Sequence, residues 1–166
     1  MESSAILAEI PRLRRYARAM LGDRAAADDL VQDTLERAWS RLFQWRAGSD
    51  LRAWLFGIMH NLRVDQLRRP RLSTHSIDED DFDVPTRATQ TDELELRDIE
   101  SALSHLPDEQ REVLLLVALE ETSYAEIAST LGIPIGTVMS RLSRGRERLR
   151  LIMNGEQSTA KLRVVR

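Results

Sequence analysis

Apolar residues recur every three or four positions along most of this chain, and the runs break at only a few places. Ile6, Ile10, Leu13, Ala17 and Leu21 keep that spacing until Gly22 and Asp23 interrupt it, which predicts a helix over Ile6–Leu21. Val31, Leu35, Ala38, Trp39 and Leu42 form the apolar face of a second helix, from about Ala25 to Phe43, while Asp29, Gln32, Asp33, Glu36 and Arg37 face elsewhere. A denser stripe, Leu51, Trp54, Leu55, Ile58, Met59 and Leu62, predicts a third helix over Leu51–Arg69. Stripes of this kind belong to a core, so Trp39 and Trp54 are expected to pack inside. Trp45 is different: it lies in the loop Gln44–Asp50, marked by Gly48, with no stripe to join. Two roles stay open for it, a lid on the core or a loop aromatic that meets an unstacked base.

The periodicity stops from Pro70 to about Thr91, where five of the six residues Asp78 to Asp83 are acidic and prolines punctuate. Helical spacing resumes from about Asp92 to Leu106 and from Pro107 to Leu119. Two more helices follow. Ser123 and Glu126 stand three apart as in a capping box, Ile127, Ala128 and Leu131 recur behind them, and Gly132 ends the turn. Pro134 then opens a helix in which Val138, Leu142, Leu149 and Met153 form a packing stripe while Thr137, Ser140, Arg141, Arg144 and Arg148 face out. No strand pattern or internal repeat accompanies these helices. The expected fold is all-α: two small helical domains, residues 1–70 and 92–154, joined by a flexible acidic linker over 71–91, with the second domain ending in a helix-turn-helix and a tail over 155–166.

Charge sharpens this division. The net charge of −3 over 166 residues conceals +3 in residues 1–70, −7 in 71–100 and +1 in 101–166. Lys161 is the sole lysine, so nearly all positive charge is arginine, whose planar fork grips phosphate or guanine at two points. Five arginines, Arg141, Arg144, Arg146, Arg148 and Arg150, face the single acid Glu147 between Gly136 and Leu151. On an arbitrary helix that is a solvated face. Behind a tight Leu-Gly-Ile-Pro link it is the geometry that presents a helix N-terminus to base edges in the major groove.

Other chemistries find no support. There is no cysteine, and His60, His75 and His105 stand apart, so no thiolate or zinc site is expected. The acidic run lacks the glycine and closing glutamate of a calcium loop. No nucleophile, metal cluster or phosphate loop points to an enzyme, and no cofactor is expected. No apolar run approaches the roughly 20 residues that span a bilayer, and the first residues do not form a secretory signal, so a cytoplasmic protein without membrane insertion is expected.

In order along the chain, three motifs resemble the extracytoplasmic-function sigma factors of bacterial RNA polymerase. Asp28, Asp29, Gln32 and Asp33 leading to Ala38 and Trp39 look like the polymerase-binding helix of sigma region two. Leu51, Arg52, Ala53 and Trp54 through Asn61 to Arg68 and Arg69 look like its promoter-melting part. Leu106 to Leu114, then Tyr124 to Ala128 and Gly136 to Leu142, look like sigma region four. The resemblance implies that Asp29, Gln32, Asp33 and Glu36 meet the clamp helices of the polymerase's largest subunit, with the flap as a further contact. It implies that Asn61 reads a base flipped from the −10 element, held by the loop from Trp45 to Leu51, with Arg63, Arg68 and Arg69 near the strand's phosphates. Ser140, Arg141 and Arg144 would meet the −35 element and Thr137 the phosphate at the helix start; Arg148, on the same outward stripe, is also expected to bind DNA. Met139 departs from the basic residue many relatives carry, so base preference is not transferable. An anti-sigma factor is a further partner implied by the family.

The linker then acquires a geometric role. About 22 flexible residues have a root-mean-square span near 26 Å but reach about 70 Å when drawn straight, close to the distance between two promoter boxes. Two rival readings compete. A sigma mimic sequesters an anti-sigma factor without touching promoters, and need not keep the arginines or the acidic face. A free-standing repressor relying on one helix-turn-helix buries only about 600–1,000 Å² and calls for a dimer, for which there are no obvious heptads.

Overall fold

The computed structural model describes residues 2–69 and 90–155. The acidic run of the expected linker and nearly all of the tail lie outside them. The described residues form two compact units built from helices alone.

The first unit contains α1 (Glu2–Leu21), α2 (Arg24–Ser40), a 3₁₀ turn (Leu42–Gln44) and α3 (Leu51–Arg68). Gly22, at φ 67°, takes the left-handed backbone that breaks α1 from α2, a conformation glycine adopts without Cβ strain. The Asp23 carboxylate then accepts from the Ala25 amide at 3.1 Å and starts α2. Asp50 does the same for α3, accepting from Ala53 at 3.2 Å. Ile6, Leu13 and Ala17 of α1, Ala27, Leu30 and Val31 of α2, and Leu55 and Met59 of α3 fill the core. Burial of each large side chain contributes about 1.5–3 kcal/mol. Tyr16 meets Phe56 edge to face, with ring centroids 5.0 Å apart.

Two expectations fail in this unit. Trp39 is not in the core: it is 48% exposed. The buried stripe of α2 runs through Ala27, Leu30, Val31, Thr34 and Ala38 instead, and the hydroxyl of Thr34 is accommodated by donating to the Leu30 carbonyl at 2.7 Å. A hydrophobic count treats threonine as polar, so the expected stripe was rotated towards Leu35 and Trp39. The second helix also stops at Ser40, short of Phe43, because the chain tightens into the 3₁₀ turn with Gln44 N–H on the Arg41 carbonyl at 2.8 Å. Trp54 is half-buried at the edge of the core.

The second unit contains α4 (Gln90–Ser104), α5 (Asp108–Ala118), α6 (Tyr124–Leu131) and α7 (Ile135–Met153). Ala102, Leu106, Val113, Leu115, Leu116, Ile127, Leu131, Val138 and Leu142 form its core. The capping box is present: Ser123 N–H donates to Glu126 Oε2 at 2.9 Å, and Glu126 N–H donates to Ser123 Oγ at 3.2 Å. Gly132, also at φ 67°, closes α6 and turns the chain towards Pro134. Two residues that hydrophobic periodicity did not mark hold this unit together. Arg111 is buried and spans the α4–α5 corner, donating to the carbonyls of Leu103 (2.7 Å), Ser104 (3.2 Å) and Leu106 (2.7 Å), with Asp108 at 3.6 Å. It thereby satisfies carbonyls that a helix end leaves without partners. Gly145 is buried where α7 crosses α5, so closely that a Cβ there would stand 3.0 Å from Leu114 Cδ1. Met153, expected on the packing stripe, is 47% exposed: it is the last residue of α7, about two turns beyond Gly145, the last buried residue of that helix.

Candidate functional site

The helix-turn-helix comprises α6 and α7, and its geometry follows from the cap, the left-handed glycine and the proline between them. Val138 and Leu142 anchor α7 inward, which leaves the opposite side to solvent. Ser140, Arg144 and Arg148 are exposed there, and Thr137 is half-buried at the first turn. Ser140 Oγ donates back to the Thr137 carbonyl at 3.1 Å. Arg144 and Arg148 make no ion pair with any described residue, so their guanidinium groups point into water ready for an anionic partner. Two other arginines are already engaged within the unit. Arg141, with its side chain 23% exposed, lies 3.7 Å from Glu109 of α5. Arg150 forks onto Glu147, at 2.8 and 3.2 Å, and the guanidinium holds the Glu147 carboxyl below its ordinary value through that hydrogen bond first and through charge second. Ile135 and Met139 add exposed apolar surface at the start of the helix.

In the first unit, Asp29, Gln32, Asp33 and Glu36 are all exposed, and their spacing of three, one and three places them on one face of α2. Gln32 Nε2 donates to Glu36 Oε1 at 3.3 Å, an i to i+4 pair that orders the face. Beside it runs a groove of about 350 Å³ between α1 and α2, in which Leu7, Ile10, Leu35 and Trp39 are bordered by Gln32 and Glu36. Sequence reasoning missed this apolar strip. The available signal was Leu7, an apolar residue off the packing stripe of α1.

Asn61 is exposed on α3, as are Arg68 and Arg69 near its end. Arg63 is half-buried, donating to Gln66 Oε1 at 3.4 Å. Arg69 lines a second, polar groove of about 370 Å³ together with Asp33, Glu36 and Asp65, so it shares a surface with two members of the acidic face. Trp45 is half-buried, and its indole Nε1 is buried without a hydrogen-bond partner among the described residues. The described residues hold no group of side chains arranged for a metal ion, and no described helix is long and apolar enough to cross a membrane.

Comparison with known proteins places this geometry. Residues 6–60 match the family model described as the Sigma2 domain of PhyR, and residues 96–149 match Sigma-70, region 4. The chain is similar to the ECF RNA polymerase sigma factor EcfG of Rhodopseudomonas palustris, 38% identical over 149 residues that cover 89% of this chain and 82% of the relative. Among solved structures it is similar to the sigma factor RpoE crystallised with the anti-sigma factor NepR from Bartonella quintana. There the TM-score is 0.74 at 35% identity, covering 99% of this chain and 98% of that one. It is also similar to CnrH in complex with the cytosolic domain of CnrY, with a TM-score of 0.68 at 28% identity, covering 92% and 87% of the two chains.

Proposed function

The chain belongs to the ECF RNA polymerase sigma factors, and from that premise we propose that its two units act jointly, one on core polymerase and the −10 element, the other on the −35 element. The observation that supports this most is that one chain carries both an exposed acid and amide face on α2 and, on the second helix of a helix-turn-helix, the exposed Arg144 and Arg148, which make no ion pair among the described residues. An acidic face meeting a basic coiled coil orients docking and speeds encounter more than it adds affinity. The strip formed by Leu35 and Trp39 supplies the apolar area that a charged face lacks. One helix-turn-helix buries too little surface to hold a promoter alone. Tethering both units to one polymerase makes the second contact intramolecular and raises its effective concentration.

Asn61 reads a base extruded from the −10 element, and Arg68 and Arg69 take phosphates of the same strand. Extrusion costs a few kcal/mol, which stacking and hydrogen bonding of the flipped base offset without ATP. Arg144 and Arg148 contact −35 DNA with Thr137 and Ser140. Arg141, leaning on Glu109, supports the recognition helix as well as approaching the backbone. The partners are therefore core polymerase, promoter DNA and an anti-sigma factor of the kind seen with the solved relatives, and the protein works in the cytoplasm. A mimic that only sequesters an anti-sigma factor has no use for the exposed Arg144 and Arg148.

The test is Asn61→Ala in the holoenzyme. Closed-complex affinity is expected to change little while open-complex formation, followed by permanganate reactivity of unpaired thymines, falls at least about tenfold, equivalent to about 1.4 kcal/mol. Equal loss in both measurements removes Asn61 from base reading.

A further inference from the structure

Phe43 is 82% exposed, more than any other large apolar side chain described. Isolated apolar residues on a surface are ordinary, but most sit on helix faces with their stems against neighbours. Phe43 instead stands on the short 3₁₀ turn Leu42–Gln44, held by the bonds from Gln44 N–H to the Arg41 carbonyl at 2.8 Å and from Trp45 N–H to the Leu42 carbonyl at 3.2 Å. Its backbone is therefore fixed while its ring has almost no protein partner.

Its surroundings indicate what would cover it. From Arg41 to Ser49 the sequence is RLFQWRAGS, with two arginines, two aromatics and no acid. Arg41 and Arg46 are both exposed. Aromatic rings interleaved with cations are what a single nucleic-acid strand requires: every base has a face to stack, and every linkage has a charge to meet. A carboxylate-rich protein partner would also suit the arginines but would leave the ring without a flat apolar surface. Two residues separate the Cα atoms of Phe43 and Trp45 by at most about 7 Å, so neighbouring nucleotides of one strand can reach both positions.

We infer that Phe43 is a stacking platform for an unpaired base of the non-template strand, next to the base handled around Trp45 and Asn61. This rests on the proposed promoter-melting role of the first unit. The ring is a specificity-neutral contact, since stacking tolerates any base, and it acts after strand separation, holding the open state.

The probe is a labelled single-stranded oligonucleotide carrying the non-template −10 segment of the strongest promoter recovered with the wild-type holoenzyme from a library. Phe43→Ala and Phe43→Leu are expected to weaken its binding to holoenzyme by about 5- to 100-fold, while Phe43→Trp stays within about twofold of the parent. Affinity for core polymerase and for duplex −35 DNA should not change. Unaltered oligonucleotide binding by Phe43→Ala overturns the inference, as does full activity of Phe43→Leu, which would make the contact merely apolar. Loss of core polymerase binding in these variants overturns it too, reassigning the ring to a protein interface. If the wild-type chain recovers no promoter, the failure lies with the proposed function itself.

Discussion

The two units bury different things. Among described residues, the polar side chains buried in the first unit come down to Thr34, which bonds its own helix, whereas the second unit buries Arg111, Glu112 and Glu120. The first is held by apolar stripes meeting face to face. The second relies on one guanidinium to satisfy three carbonyls at the α4–α5 corner and on a glycine to let two helices approach. Their outer surfaces differ in the opposite sense. The first unit spreads its chemistry over an acid face, an apolar groove and a basic aromatic loop, while the second concentrates arginines on one helix and tethers some of them to local acids. A unit with several surfaces has a self-sufficient core; a unit with one surface uses charge inside as well as out.

That contrast can be broken most forcefully at Arg111. Arg111→Ala leaves three carbonyls short of donors and should cost the second unit about 3 kcal/mol. Trp39, Trp45 and Trp54 all lie in the first unit, so tryptophan fluorescence should keep its denaturation midpoint while part of the helical circular dichroism melts earlier. A common shift in both signals would show that the units unfold together. At Gly145, valine should cost about 2 kcal/mol by overpacking against Leu114, whereas alanine should be close to neutral, because its gain in helix propensity of about 1 kcal/mol opposes the tight contact. Thermal melts of the two variants separate these cases.

The surface arginines sharpen the comparison. Arg144→Ala should cost about 1–3 kcal/mol of −35 binding and relax preference at one base pair if it pairs with guanine. A uniform loss with a shallower salt slope would make it a phosphate contact. Arg141→Ala, whose side chain is shared with Glu109, should cost less and leave base preference intact. Ser123→Ala removes one half of the capping box and should cost about 1 kcal/mol, read in the same melts. The smallest effect concerns Glu147. Its carboxyl titrates below the ordinary value beside Arg150, so the pair's contribution is complete at neutral pH and is lost as pH falls through the lowered value. Glu147→Gln should remove that dependence from an acid titration of helicity. It should also steepen the salt dependence of DNA binding by releasing Arg150.

Periodicity made most of this architecture legible in advance. The caps of α6, the break at Gly22 and the outward face of α7 follow from local rules that a single helix obeys. What escaped depends on side-chain bonding and on how helices meet, neither of which periodicity records. Thr34 reaches the core because a hydroxyl can bond back to Leu30, and that rotation turned Trp39 outward, opposite to expectation. Arg111 and Gly145 are understood only once α4, α5 and α7 meet, although a glycine in the middle of a helix was a cue to close packing. The proposed site residues come from the motif order and stay a proposal; the apolar groove beside them and the exposure of Phe43 needed three dimensions.

Transcription by purified core polymerase on a library of promoters, with and without this chain, tests the joint action of the two units most directly. Initiation that depends on the chain, at promoters sharing one sequence near −10 and another near −35, is the expected outcome. A chain that does not join core polymerase, or joins it and starts no transcript, would not be working as a sigma factor.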